Sequence, residues 1–163
     1  MTGSLSAMLA FGKQLEAVVQ GRSMGGSLPD GARIRMSPVG KPAPAIALGS
    51  IVVHLAVDGR LVAHRVVAVG SNRRQVPFVI TQGDSQVLCD MPVDVADLQG
   101  TVTAVCREGK WEPPPLPPAS SRAFPARAIA GGTLWVVRLW AWMSGASQRK
   151  WIARKLLGLR SHD

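Results

Sequence analysis

What most constrains the fold is the rhythm of the chain between residues 17 and 107. Short runs rich in Val, Ile and Thr follow one another, each closed by glycine, proline, aspartate or asparagine. β-Branched side chains suit a pleated strand, and the closing residues supply turn angles that interrupt it. Strands are expected at 17–21, 32–36, 46–57 with a break at Gly49-Ser50, 61–69, 76–82, 87–93 and 101–107. Asp58-Gly59 is the strongest turn signal and predicts a hairpin between its flanking runs. Ser71-Asn72-Arg73-Arg74 predicts a solvated loop between two more. Nothing in this stretch has a helical period long enough for βαβ units, so the body reads as a mainly β, mostly antiparallel fold. One short helix is expected before it, over residues 5–15, with Met8, Leu9 and Leu15 on a common face.

At 163 residues the chain can bury one core and carry appendages. Its formal charge of +9 matters less than where it lies. Residues 1–120 hold eleven Lys/Arg and nine Asp/Glu, a balance of +2, whereas residues 121–163 hold eight Lys/Arg and one Asp, a balance of +7. A nucleic-acid-binding fold would carry its positive stripe on the folded body, so no nucleic-acid partner is expected. Cys89 and Cys106 are too few for a disulfide framework, although both fall in expected strands and could be neighbours. No zinc or iron-sulfur spacing exists, and neither a metal nor a cofactor is expected. With no basic leader followed by an apolar run, no cleaved signal or N-terminal anchor is expected. That places the protein in the cytoplasm or at the inner face of a membrane, not among secreted proteins.

The chain divides into a β-rich domain over 1–111, a proline-rich linker over 112–127 and an apolar then basic helical tail over 128–163. Glu112-Pro-Pro-Pro-Leu-Pro-Pro cannot sustain a helix or a central strand and reads as a semi-rigid spacer. Residues 128–143 contain Trp135, Trp140 and Trp142 but are broken by Gly131-Gly132 and Arg138. That falls short of the roughly 20 residues a bilayer span needs. Residues 147–160 form a basic helical pattern with Trp151, Ile152, Leu156 and Leu159 loosely on one side. Such a helix suits the headgroup region of an anionic leaflet. The other reading has both segments fold back on the β-body.

Ser23, His64, Asp84 and Asp90 are the residues whose chemistry could combine. A serine hydroxyl needs a base to take its proton, an imidazole is the side chain best matched to that task near neutrality, and a carboxylate can fix the imidazole's tautomer. Ser23 sits in a glycine-rich turn, Gly21-Arg22-Ser23-Met24-Gly25-Gly26, where backbone amides are left uncovered. His64 and Arg65 are adjacent on a strand and so point to opposite faces.

The segments Ser23-Met24 followed by Leu28-Pro29-Asp30-Gly31, Gly49-Ser50-Ile51-Val52-Val53, Val62-Ala63-His64-Arg65-Val66-Val67 and Thr81-Gln82-Gly83-Asp84-Ser85 with Asp90 beyond occur in that order. Together they resemble the type I signal peptidase family, in its ER-type and archaeal-type branch, where the base is histidine. The resemblance runs from about Val18 to Gly109. It implies a signal-peptidase-like or LexA-like antiparallel β-fold and a serine endopeptidase that trims leader or signal-like peptides, with an extended peptide or protein segment as partner. On the matching positions, Ser23 would be the acylated nucleophile and Met24 the family's methionine. His64 would be the general base and Asp90 would orient it, while Asp84 would hold its loop or share that role. Gly21 stands where many members carry a hydroxyl, so oxyanion stabilisation would rest on backbone amides such as that of Ser23. Without an N-terminal anchor, membrane contact would fall to the basic tail.

The alternative is a non-catalytic relative that keeps the groove and binds peptide without cutting it. A LexA-like Ser/Lys autoprotease would need a lysine at position 64, and Lys13, Lys41 and Lys110 lie in no such strand.

Overall fold

The computed structural model describes residues 14–39, 46–56 and 58–116, and in the C-terminal segment residues 135–137, 139, 140 and 142. The described body is mainly β. Eight strands form one antiparallel sheet: β1 (Leu15–Val18), β2 (Arg33–Pro38), β3 (Ile51–Leu55), β4 (Leu61–Ser71), β5 (Pro77–Gln82), β6 (Val93–Asp94), β7 (Leu98–Arg107) and β8 (Lys110–Glu112). The spatial order is β1-β2-β7-β3-β4-β5-β6, with β8 added to β7. A ten-residue β7 serves three neighbours, pairing β2 over Gly100–Val105, β3 over Leu98–Thr101 and β8 over Val105–Arg107.

The turns form where the backbone can reach positive φ. Gly59 (φ 81°) closes the β3–β4 hairpin, and the Asp58 carboxylate accepts from the Arg60 amide at 3.0 Å. Glu108 and Gly109, with φ of 50° and 80°, turn β7 into β8 as a two-residue hairpin loop. Between β4 and β5 the Asn72 side-chain carbonyl accepts from the amides of Arg74 and Val76 at 2.8 and 3.0 Å. Asparagine thereby replaces strand hydrogen bonds with its own.

β3 is buried on both faces because the sheet packs on both sides. Ile51 and Val53 join Ile34, Met36, Val102 and Val105, and this cluster also takes in Met24 and Leu28 from the turn that carries Ser23. Val52 faces the other way, towards Val66, Val79, Val95 and Leu98. Sinking Met24 and Leu28 into the first cluster ties the serine turn to the core at two points. Each such burial contributes on the order of 1.5–3 kcal/mol.

Four expectations are corrected. Leu15 opens a strand and is not the end of a helix: half-buried Leu15 and Ala17 alternate with exposed Glu16 and Val18, the period of a strand edge against β2. The rest of the expected helix, residues 5–13, lies outside the described residues. The run 46–57 contributes a strand only from Ile51. The expected strand over 87–93 is mostly loop, entering the sheet only at Val93. Its chain is folded back by the Gln82 side-chain amide, which donates to the carbonyls of Gln86 and Val87 at 2.8 and 2.9 Å. Cys89 therefore lies in a loop, and no disulfide joins it to Cys106. Finally, Glu112 belongs to β8, paired with Val105, so the proline-rich segment starts one residue later than expected; residues 117–127 lie outside the described residues.

In the C-terminal segment the described positions are helical. Val137 packs against Ala68, Phe78 and Ile80, and the Arg73 guanidinium stacks 4.2 Å from the Trp142 ring centroid. This part folds back on the β4–β5 hairpin. Residues 143–163, with the basic pattern at 147–160, lie outside the described residues. Among the described residues no helix is long and apolar enough to cross a membrane.

Candidate active site

The Ser23 turn is closed by backbone bonds from Gly25 to the Arg22 carbonyl (3.0 Å) and from Ser27 to the Met24 carbonyl (3.1 Å). Gly25 adopts φ 53° within it. At its base the Gly21 amide donates to the Asp30 carboxylate at 2.8 Å. With Met24 and Leu28 pointing into the core, the intervening backbone is fixed and the Ser23 side chain is directed towards β4.

His64 lies on β4 opposite Val52 of β3. Its Nε2 is 2.9 Å from Ser23 Oγ, and its Nδ1 is 2.6 Å from Asp90 Oδ2. The three residues that sequence chemistry groups together are thus joined in one hydrogen-bonded line. The histidine side chain is 7% exposed and the aspartate 24%. Because a carboxylate can only accept, the His64 proton sits on Nδ1. Its Nε2 then presents a lone pair to the serine hydroxyl, which donates. This is the protonation pattern needed to activate an alcohol.

Asp84, the other aspartate of this loop, meets a different partner. Its two carboxylate oxygens accept from Nε and Nη2 of Arg65, each at 2.8 Å. Arg65 also donates to the carbonyls of Gly49 (2.8 Å) and Pro115 (3.2 Å) and to the Ser27 hydroxyl (3.3 Å). The cause is strand alternation: His64 and Arg65 leave β4 on opposite faces, so the two aspartates of one loop are sorted to different partners. The Arg65–Asp84 pair is buried, its side chains 4% and 8% exposed. It clamps four separate segments around the serine turn.

The loop carrying both aspartates is itself fastened to the Ser23 backbone. The Ser85 amide donates to the Ser23 carbonyl at 2.8 Å, and Gln86 closes a turn onto Gly83 at 2.8 Å. A Cβ at Gly83 would lie 2.6 Å from that same Ser23 carbonyl oxygen, so only glycine fits there. Asp90 is returned to β5 by a bond from its amide to the Thr81 carbonyl at 2.8 Å.

Two residues at the site receive no role in the sequence reading, although Thr81 opens one of its motifs. The Thr81 hydroxyl donates to Asp90 Oδ2 at 2.7 Å, and His54 Nε2 lies 3.1 Å from Thr81 Oγ1. Both are buried. Sheet register puts them there: His54 is two residues from Val52, the partner of His64, and Thr81 pairs with Val66, two residues from His64. All are same-face diagonal neighbours. The available signal was a polar residue inside an otherwise apolar run, in Val52-Val53-His54-Leu55 and in Val79-Ile80-Thr81. Burial pushes the His54 imidazole below the ordinary histidine range, against the pull of the Asp90 charge and the Leu55 carbonyl.

His54, His64 and Asp90 each offer a ligand atom, all within 4.8 Å of one another, which is the donor set a divalent metal would use. Here those atoms are joined by hydrogen bonds to each other and through Thr81, so an ion would have to displace the bridging protons.

The described chain is therefore a mainly β protein with a partly buried Ser-His-Asp line at its centre. No family model, curated protein or solved structure matches it.

Proposed function

We propose that this chain is a serine endopeptidase of the type I signal peptidase kind, in the Ser-His-Asp branch, acting on leader or signal-like peptides. One observation carries the reading: Ser23 Oγ, His64 Nε2 and Nδ1, and Asp90 Oδ2 are connected at 2.9 and 2.6 Å in the order that base catalysis requires. In that mechanism His64 takes the hydroxyl proton as Ser23 attacks the scissile carbonyl. Asp90 stabilises the imidazolium, which then protonates the leaving amine. A water molecule, activated by the same imidazole, releases the acyl group. Among the described residues nothing accepts from the Ser23 amide, the donor on which oxyanion stabilisation would rest with Gly21 lacking a hydroxyl. The antiparallel β-body supports a signal-peptidase-like fold, in which an extended peptide docks by strand addition. We assign the basic residues of 147–160, with Trp151, a peripheral contact with the inner face of an anionic membrane, placing the peptidase where leader-bearing chains are found.

The test is labelling with a serine-reactive fluorophosphonate together with cleavage of a leader peptide. Wild type is expected to label and cut, and Ser23→Ala to do neither. Equal labelling of the two proteins overturns the reading. Peptide binding undiminished in Ser23→Ala and His64→Ala, with no product from wild type, would instead identify a binding relative of the same fold.

A further inference from the structure

Asp90 Oδ2 is asked to accept two short bonds at once, from His64 Nδ1 at 2.6 Å and from Thr81 Oγ1 at 2.7 Å. A threonine hydroxyl has a single hydrogen. With that hydrogen directed at Asp90, Thr81 can only accept from its other neighbour, so the His54 proton must sit on Nε2, 3.1 Å away. A neutral His54 then turns a bare Nδ1 towards the Leu55 carbonyl at 3.3 Å, where nothing can be donated. The two ends of this imidazole compete for one proton, and the Thr81–Asp90 bond decides which end holds it.

We infer that Thr81 and His54 are positioning residues for the proposed triad, extending it to a directed line of five groups, His54 Nε2–H to Thr81 Oγ–H to Asp90, and Ser23 Oγ–H to His64 Nε2 with Nδ1–H to Asp90. The inference rests on the peptidase reading for its catalytic meaning, but not for its hydrogen-bond content. Three features support it besides distance. Thr81 is fully buried and His54 nearly so, so the bond between them is shielded from water. Register alone places both on the His64 face. The Asp90 backbone is fixed to β5 by its amide bond to the Thr81 carbonyl, so Thr81 holds Asp90 by main chain and side chain together. A carboxylate held this way is aligned with the Nδ1–H of His64, the geometry needed to stabilise an imidazolium.

The groups facing His54 are Asp90 and His64, with the Thr81 hydroxyl and the Leu55 carbonyl. Thr81→Val removes the acceptor of the His54 proton while keeping shape. The expected result is that His54 passes from the Nε2–H to the Nδ1–H tautomer, now donating to Leu55. Long-range proton–nitrogen correlation NMR of the full chain, at a pH above the histidine range, reads this directly. In the same variant kcat falls by about tenfold or more with KM unchanged, the rate equivalent of one hydrogen bond to a charged group. Thr81→Ser restores tautomer and rate; His54→Gln, which keeps a donor at the same place, retains most of the rate, and His54→Phe does not.

An Nδ1–H tautomer of His54 in wild type overturns the inference, as does a Thr81→Val protein with unchanged tautomer and unchanged rate. If wild type cuts no leader peptide, the peptidase reading fails alone. The His54 tautomer and its switch in Thr81→Val then still decide the hydrogen-bond line.

Discussion

Two neighbouring residues of one strand, His64 and Arg65, each take an aspartate from the same loop, and the pairs serve opposite ends. His64–Asp90 is a single bond at 2.6 Å to a partly exposed carboxylate, with the far side of the imidazole turned to a serine. Arg65–Asp84 is a two-pronged, fully enclosed ion pair whose remaining donors reach backbone carbonyls on separate segments. Arginine stays charged and its planar fork fixes geometry, so it suits a clamp. Histidine changes charge near neutrality, so it suits a proton carrier. Under the proposed function, the same carboxylate chemistry serves proton transfer or architecture according to whether its partner can give up a proton.

Substitutions that break one pair at a time should separate these roles. The largest effect is expected from Asp90→Asn, which removes the anion and disturbs the Nδ1–H tautomer: leader-peptide kcat should drop on the order of 10⁴-fold. Its urea midpoint should stay close to wild type, and a large fall in midpoint with kcat preserved in the folded fraction would abolish the distinction. Asp84→Asn should do the reverse, leaving a buried guanidinium without its counter-charge at a cost of about 3–5 kcal/mol in equilibrium unfolding. The folded fraction should still label at Ser23; loss of labelling with stability intact would make Asp84 part of the chemistry.

Gly83→Ala sharpens the comparison because Gly83 lies beside Asp84 yet touches the nucleophile's backbone. The added methyl meets the Ser23 carbonyl at 2.6 Å, so the loop must shift, with destabilisation of about 1–3 kcal/mol and slower labelling of Ser23. Unchanged labelling would show that the loop and the serine turn are not rigidly joined.

The smallest effect expected is a pH dependence from His54. Its folded-state affinity for protons lies below the unfolded one, so the unfolded chain binds more protons as pH drops from the ordinary histidine range. Stability should be fully present above that range and be lost as pH falls through it towards the depressed folded value. His54→Gln should flatten this part of the stability profile. An equally steep profile in the variant would assign the dependence elsewhere.

Much of this was legible in the residues. Val-Ile-Thr runs between turn residues predict strands, and Asp58-Gly59 predicts the β3–β4 hairpin, because both signals act locally. The run 87–93 misleads because its β-branched residues satisfy a strand pattern while the Gln82 amide, a side chain from β5, captures the carbonyls of Gln86 and Val87 at its start. Leu15 misleads in the same way: its helical spacing to Met8 is met by a competing two-residue alternation that only the neighbouring β2 makes favourable. Ser23 and His64 stand out by type and motif. His54 and Thr81 do not, since within an apolar run nothing distinguishes a polar residue that serves a site from one that merely finds a partner.

By itself the sequence determined a β-rich body, its principal hairpin, the serine turn and a short list of serine, histidine and aspartate candidates, since those follow from local backbone preference and side-chain type. Which aspartate meets the imidazole, what the other one holds, and how two more buried polar groups join the line were decided only by tertiary structure. Strand register and the fold of residues 83–90 fix distances between positions 19 to 41 residues apart, and no local preference encodes such distances.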